Sequence, residues 1–301
     1  MKRATLLLAP LLVTGIIGCS SGSSSKGVPA GSTTTQALST TTRALSTTTQ
    51  APSTTGKAAR VQRGDHYVDL GSSIASGYGI ANQSTFCGRS DRDYGHLVAA
   101  KLGLNLTDVS CGAAVIPNVA DRAQGAAPPQ IDAVTPDTKL ITVSVGGNDI
   151  NLNGTALGCG DTATVCSPPA TLDADEAALQ GKLVTMLTEL KVRAPSASVV
   201  LVTYPREFPD QNCAELSLSD GELSMLRGMG EKLEAASVSA AAQAGVVLVD
   251  SYVQSGDHTA CAPAPERWTA GYKVAPGAGF AYHPTALGHE EMAKLIEQAL
   301  Q

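Results

Sequence analysis

Aromatic residues are scarce in this chain, eleven in 301 with a single Trp. So little ring surface favours small or polar ligands over bulk lipid. Clusters of Lys and Arg are absent and the formal net charge is −6, which excludes nucleic acid as a partner. The apolar stretch from Ala4 to Gly18 falls short of the roughly 20 residues that a membrane-spanning helix needs. No zinc-ligand spacing occurs among the seven cysteines, so nothing points to a metal or other cofactor. Acidic residues are missing altogether between Glu266 and His283.

What is present begins with an address. Met1-Lys2-Arg3 is a basic head, and the apolar run behind it has the layout of a secretory signal over residues 1–18. It ends Ile16-Ile17-Gly18-Cys19, which resembles the lipobox of bacterial lipoproteins. That resemblance implies a lipid (diacylglycerol and palmitate) on Cys19 and anchoring on the outer face of the cell membrane. Residues 19–63 read as a tether. They are rich in Ser, Thr, Ala and Gly, with a seven-residue repeat in Ala37–Arg43, Ala44–Gln50 and Ala51–Lys57. Such a composition buries too little apolar surface to offset chain entropy.

The remainder, 64–301, fits one domain. Five apolar runs predict strands at Tyr67–Leu70, Leu106–Ser110, Leu140–Val145, Ser198–Tyr204 and Val246–Asp250. Helical patterns cover Tyr94–Leu102, Leu172–Val192, Gly221–Ala244 and His289–Leu300. Strands alternating with helices, several of them continuously apolar, predict an α/β fold with a parallel sheet covered on both faces. Ligand sites in such sheets lie beyond the carboxyl ends of the strands. Six cysteines remain once Cys19 is set aside: Cys87, Cys111, Cys159, Cys166, Cys213 and Cys261. An even number in an exported chain predicts disulfides, with fifteen pairings open and Cys159–Cys166 the easiest to form.

Three loops carry chemistry. Gly71-Ser72-Ser73 follows the first strand, with Gly77 closing a turn that exposes the Ser73 hydroxyl and opens a helix behind it. Gly146-Gly147-Asn148-Asp149 follows the third; Asn148 offers an amide donor, and Asp149 is placed to hold the loop through backbone N–H groups. His283, before Pro284 and the last helix, is a loop histidine of the kind that acts as a general base. His289 is expected to cap the helix or face solvent. Gly112 adds a tight turn whose N–H is expected to point at the same place. A serine hydroxyl needs a base and stabilisation of the oxyanion that its attack creates. Ser73, His283, Gly112 and Asn148 supply those parts.

In order and spacing these blocks resemble the SGNH hydrolases, the GDSL-type esterases and lipases, over about residues 65–300. The resemblance implies a three-layer α/β/α sandwich with a five-stranded parallel sheet, and serine-dependent hydrolysis of a small or lipid ester without a cofactor. It also implies the pairs Cys87–Cys111, Cys159–Cys166 and Cys213–Cys261, as in secreted actinobacterial members. Two positions depart from the family pattern. Ser72 replaces the Asp before the nucleophile, and Phe280 stands where the family's triad Asp would lie. We therefore expect a Ser–His dyad, with the Phe280 carbonyl orienting the histidine. An acyltransferase and a catalytically silent binding lipoprotein are the alternatives, and a monomer is the default assembly.

Overall fold

The five predicted strands pair in the order β2-β1-β3-β4-β5, every neighbour parallel. They are β1 (His66–Gly71), β2 (Asn105–Asp108), β3 (Thr138–Ser144), β4 (Ser198–Val202) and β5 (Val247–Val249). The computed structural model describes residues 60–84, 86–160 and 166–301. The leader over 1–18, Cys19 and the tether up to residue 59 lie outside the described residues.

The strands form where the sequence has β-branched and apolar runs that can be buried on both faces. Val199–Val202 and Val247–Val249 are buried throughout, as are Tyr67, Val68 and Leu70 in β1 and Leu140, Ile141 and Val143 in β3. β2 stops at Asp108 rather than Ser110, because the Asp108 carboxylate accepts the Ser110 N–H at 2.9 Å and turns the chain.

The main helices are α1 (Tyr94–Leu102), α4 (Leu172–Arg193), α5 (Asp220–Ala244) and α7 (Ala286–Ala299), with shorter α2 (Ile116–Ala120), α3 (Leu152–Gly160) and α6 (Ser251–Ser255). Their ends follow local chemistry. Ser219 and Glu222 form a reciprocal capping box at the start of α5, and Gly245 ends it at φ +63°. Thr285 caps α7 by accepting the Gly288 N–H at 3.1 Å.

Chain order decides which helix lies on which face. β1→β2 runs one way across the sheet and β3→β4→β5 the other, so right-handed crossovers put α1 on one face and α4 and α5 on the opposite one. α7 packs against α1, and α4 against α5. The result is the expected three-layer sandwich. The direction of winding reverses between β1 and β3, and that switch point opens a crevice at their carboxyl ends.

The described cysteines pair as Cys87–Cys111, Cys159–Cys166 and Cys213–Cys261. No helix among the described residues is long and apolar enough to cross a membrane.

Candidate active site

Ser73 lies two residues beyond β1, directly at the crevice. Gly71 makes the turn possible. It has φ +133°, and a methyl group there would fall 2.2 Å from the Ser144 carbonyl oxygen, so only glycine lets β1 leave the sheet so close to β3. Ser72 N–H then donates to the Ser144 carbonyl at 2.9 Å. No helix opens behind Ser73. Successive turns run from Ser73 to Gly79, because Gly77 and Gly79 both adopt positive φ and break a helical path.

The two adjacent serines have different partners. The Ser72 hydroxyl is 2.7 Å from the Tyr204 hydroxyl and 3.4 Å from the Ser144 carbonyl. The Ser73 hydroxyl is 2.8 Å from His283 Nε2. Only Ser73 therefore has a base.

His283 is 3% exposed, and its Nδ1 is 2.8 Å from the Ala281 carbonyl oxygen. A carbonyl can only accept, so Nδ1 carries the proton and the Nε2 lone pair faces the serine. The supporting carbonyl is thus that of Ala281 and not of Phe280 as expected. Tyr282 sits at φ +61°, and this left-handed residue folds the chain so that the carbonyl two positions back meets the ring. Phe280 instead accepts the backbone N–H of His283 at 3.0 Å. Among the described residues no carboxylate hydrogen-bonds to His283, and Asp250, the acidic residue that follows β5, caps α6 through Val253 N–H. Burial lowers the His283 pKa to about 4, with the bond to Ala281 opposing that shift. The ring is neutral at pH 7, the form a general base requires.

The donors are arranged less simply than the sequence suggests. Gly112 N–H is already engaged, donating to the Cys87 carbonyl at 2.8 Å. The Cys87–Cys111 disulfide brings that carbonyl over the turn, so the expected role of Gly112 is corrected. The next residue, Ala113, is exposed at φ +63°, and its N–H has no partner among the described residues. The Ser73 N–H is likewise without a partner among them. Asn148 spends one amide hydrogen on the Ala114 carbonyl at 2.9 Å and keeps a second. Asp149 holds its loop as expected, accepting Ile116 N–H at 2.9 Å.

Ser73, Ala113, Asn148 and His283 all line one cavity of about 440 Å³, walled by Tyr78, Phe86, Leu157 and Phe280. His289 departs from expectation. It is buried, stacks on Tyr94, and accepts the Tyr94 N–H at Nδ1 over 3.2 Å. The closeness of α1 and α7 puts it in their interface rather than in solvent. Tyr204 and Ala113 escape detection in the sequence. A tyrosine beyond β4 and an alanine in a turn carry no local signal of their roles.

The family model described as "GDSL-like Lipase/Acylhydrolase family" matches residues 70–291. "Lipase 2" of Streptomyces coelicolor is 32% identical over 250 residues, covering 76% of this chain and 83% of that one. An extracellular lipase from Streptomyces rimosus superposes with a TM-score of 0.64 at 25% identity, over 78% of this chain and 99% of that one. A phospholipase A1 from Streptomyces albidoflavus gives a TM-score of 0.66 at 25% identity, with the same coverage. The chain is a member of the GDSL-like lipase and acylhydrolase family.

Proposed function

We propose that this carboxylic ester hydrolase works through an acyl-enzyme on Ser73, with His283 as the only base. The observation that carries the reading is the 2.8 Å contact of Ser73 Oγ with His283 Nε2, while Nδ1 donates to Ala281. His283 takes the hydroxyl proton as Ser73 Oγ bonds to the ester carbonyl carbon. The carbonyl oxygen becomes an oxyanion facing Ser73 N–H, Ala113 N–H and the free amide hydrogen of Asn148. His283 then gives its proton to the alcohol oxygen as the C–O bond breaks. Water attacks the acyl-enzyme by the same route, returning Ser73 and releasing the acid. A neutral carbonyl behind the imidazolium stabilises it less than a carboxylate does, so the oxyanion donors carry more of the rate.

Cys19 would hold the enzyme at the outer membrane face through its lipid, with 20–63 as spacer. Support comes from the Ile16–Cys19 motif and from the extracellular origin stated for the Streptomyces rimosus relative. Cys19→Ser should move the protein from the detergent phase of a Triton X-114 partition into the aqueous phase; a wild-type protein already aqueous would remove the anchor from the account.

A fluorophosphonate probe tests the chemistry. It should label Ser73 in the wild type, read by peptide mass spectrometry, and fail to label His283→Ala at a comparable rate. A label carried by Ser72 or by no serine would refute the assignment.

A further inference from the structure

Asp69 in β1 and Asp108 in β2 are register partners on neighbouring parallel strands, so their carboxylates share one face of the sheet. α1 packs on β2 and brings its N-cap residue Asp93, together with His96, to the same place. Asp69 and Asp93 are fully buried, and the Asp108 side chain is only 6% exposed. Three carboxylates thus gather in the interior, where a charge without a partner is costly.

The hydrogen bonds around them leave part of that demand unmet. Asp108 Oδ1 accepts the N–H and the hydroxyl of Ser110 at 2.9 and 2.6 Å, and Asp69 Oδ1 accepts the Thr142 hydroxyl. Asp93 Oδ1 accepts the His96 N–H at 2.8 Å. The second oxygens of Asp69 and Asp108 are buried and accept no hydrogen bond among the described residues. Asp69 Oδ2 faces the first turn of α1, where a methyl group on Gly95 would fall 2.5 Å from it. Arg89 Nε stands 3.9 Å from Asp108 Oδ2, and its Nη1 is engaged by the Ser110 carbonyl at 3.0 Å.

The spacing suits a metal. One oxygen each from Asp93 and Asp108 and one ring nitrogen of His96 lie within 4.8 Å of one another. His96 Nδ1 is 3.0 Å from both Asp93 oxygens, about the separation of two adjacent ligands that each bond one ion at about 2.1 Å. A divalent ion would take the place of the proton shared by Nδ1 and Asp93, releasing it to solvent. The imidazole nitrogen selects a transition ion, because calcium and magnesium favour oxygen ligands. A cavity of about 510 Å³, with His96, Asp108, Asn82, Ser90 and Asp91 in its walls, gives the ion an entry and leaves room for water to complete its coordination.

We propose that Asp93, His96 and Asp108 hold a divalent transition cation, for which zinc fits the donor set, with Asp69 adding negative charge behind them. The ion is structural. None of its three ligands lines the Ser73 cavity, but it fastens α1 to β2 directly behind the nucleophile turn. There Ser90 N–H donates to the Ser76 carbonyl at 2.8 Å, and a methyl group on Gly77 would fall 3.0 Å from Asp93 Cβ. The sequence shows no zinc spacing because these ligands come from a strand and a helix start and meet only in the fold.

The test titrates zinc chloride into the full exported chain, first freed of metal with EDTA, and reads calorimetry and Tm. Wild type should bind one zinc, with Tm rising by about 5–10 °C at a hundredfold excess over Kd. Asp108→Asn and His96→Ala should each weaken binding at least about tenfold and lose most of that rise. Cooperative unfolding of each metal-free variant shows that it is folded. Histidine ¹⁵N spectra of the wild type need no variant: zinc should shift the His96 ring and leave those of His258, His283 and His289 unmoved. No zinc bound by the wild type would overturn the proposal, as would equal binding by both variants or a shift confined to another histidine. Binding of calcium in preference to zinc would leave His96 out of the ligand set and equally overturn it.

Discussion

At the scale of single residues, the site is held by groups that conduct no chemistry themselves. Tyr204 is the clearest. Its hydroxyl accepts Gly147 N–H at 3.4 Å and meets Ser72 Oγ at 2.7 Å, so one side chain joins the Ser73 turn to the loop that carries Asn148. Where the family has Asp beside the nucleophile, this chain has an uncharged Ser–Tyr pair. Tyr204→Phe leaves the buried Gly147 N–H without its partner, a loss of about 1–3 kcal/mol in stability. Steady-state kinetics should show kcat falling while KM stays near its wild-type value. Ala113 tests the proposed oxyanion turn differently. Its left-handed backbone strains any residue with a β-carbon, so Ala113→Gly should raise stability by up to about 1 kcal/mol and retain activity, measured by urea unfolding and ester hydrolysis. Asn148→Ala, which removes a donor, should cost about 100- to 1000-fold in kcat. Ser73, Asn148 and His283 were legible because their glycine- and proline-marked loops follow or precede predicted elements. Ala113 and Ala281 were not, since what they contribute is a backbone group, and any residue type has one.

At the scale of elements, the strands and long helices stood out because burial on both faces imposes continuous apolar runs, and because helix ends leave capping signatures. α3 did not, since Leu152–Gly160 contains three glycines and no amphipathic pattern. The Cys87–Cys111 disulfide joins the two sides of the Gly112 turn, the proposed oxyanion turn, where Cys87 O accepts Gly112 N–H and Ala113 N–H has no partner among the described residues. It spans 24 positions. Replacing both cysteines by Ala should destabilise the protein by about 3 kcal/mol in chemical unfolding. It should also lower kcat, because the Gly112 turn loses its reference point. Full activity in that double variant would detach the disulfide from the site.

For the whole molecule, burial of ionisable groups sets opposite pH limits. His283 and His289 have pKa values lowered by burial to about 4. In the unfolded chain they titrate near 6.5, so stability is lost as pH falls from 6.5 toward 4, by up to roughly 3 kcal/mol for each. Glu207 and Glu234 are raised by burial to about 8, and Asp108 to about 6. Their contribution is full below the unfolded carboxylate range and is lost as pH rises through those values. Three carboxylates outweigh two histidines above about pH 4.5. These groups therefore make stability highest at about pH 4.5 or below and lower as pH rises toward 8, read from urea midpoints across pH, and a maximum above pH 8 would contradict these burial effects. Burial of this kind is a property of the packed layers, and no local sequence pattern announced it.

The most direct measurement is kcat/KM for p-nitrophenyl butyrate across pH 3.5–8, by wild type and Ser73→Ala. The account predicts a wild-type acid limb with its midpoint near pH 4, where buried His283 gains its proton. It also predicts a loss of roughly 10⁴-fold or more in Ser73→Ala at every pH. Equal rates for the two proteins would contradict the Ser73–His283 mechanism outright, and an acid limb near pH 6.5 would mean that an exposed histidine, not this buried one, is the base.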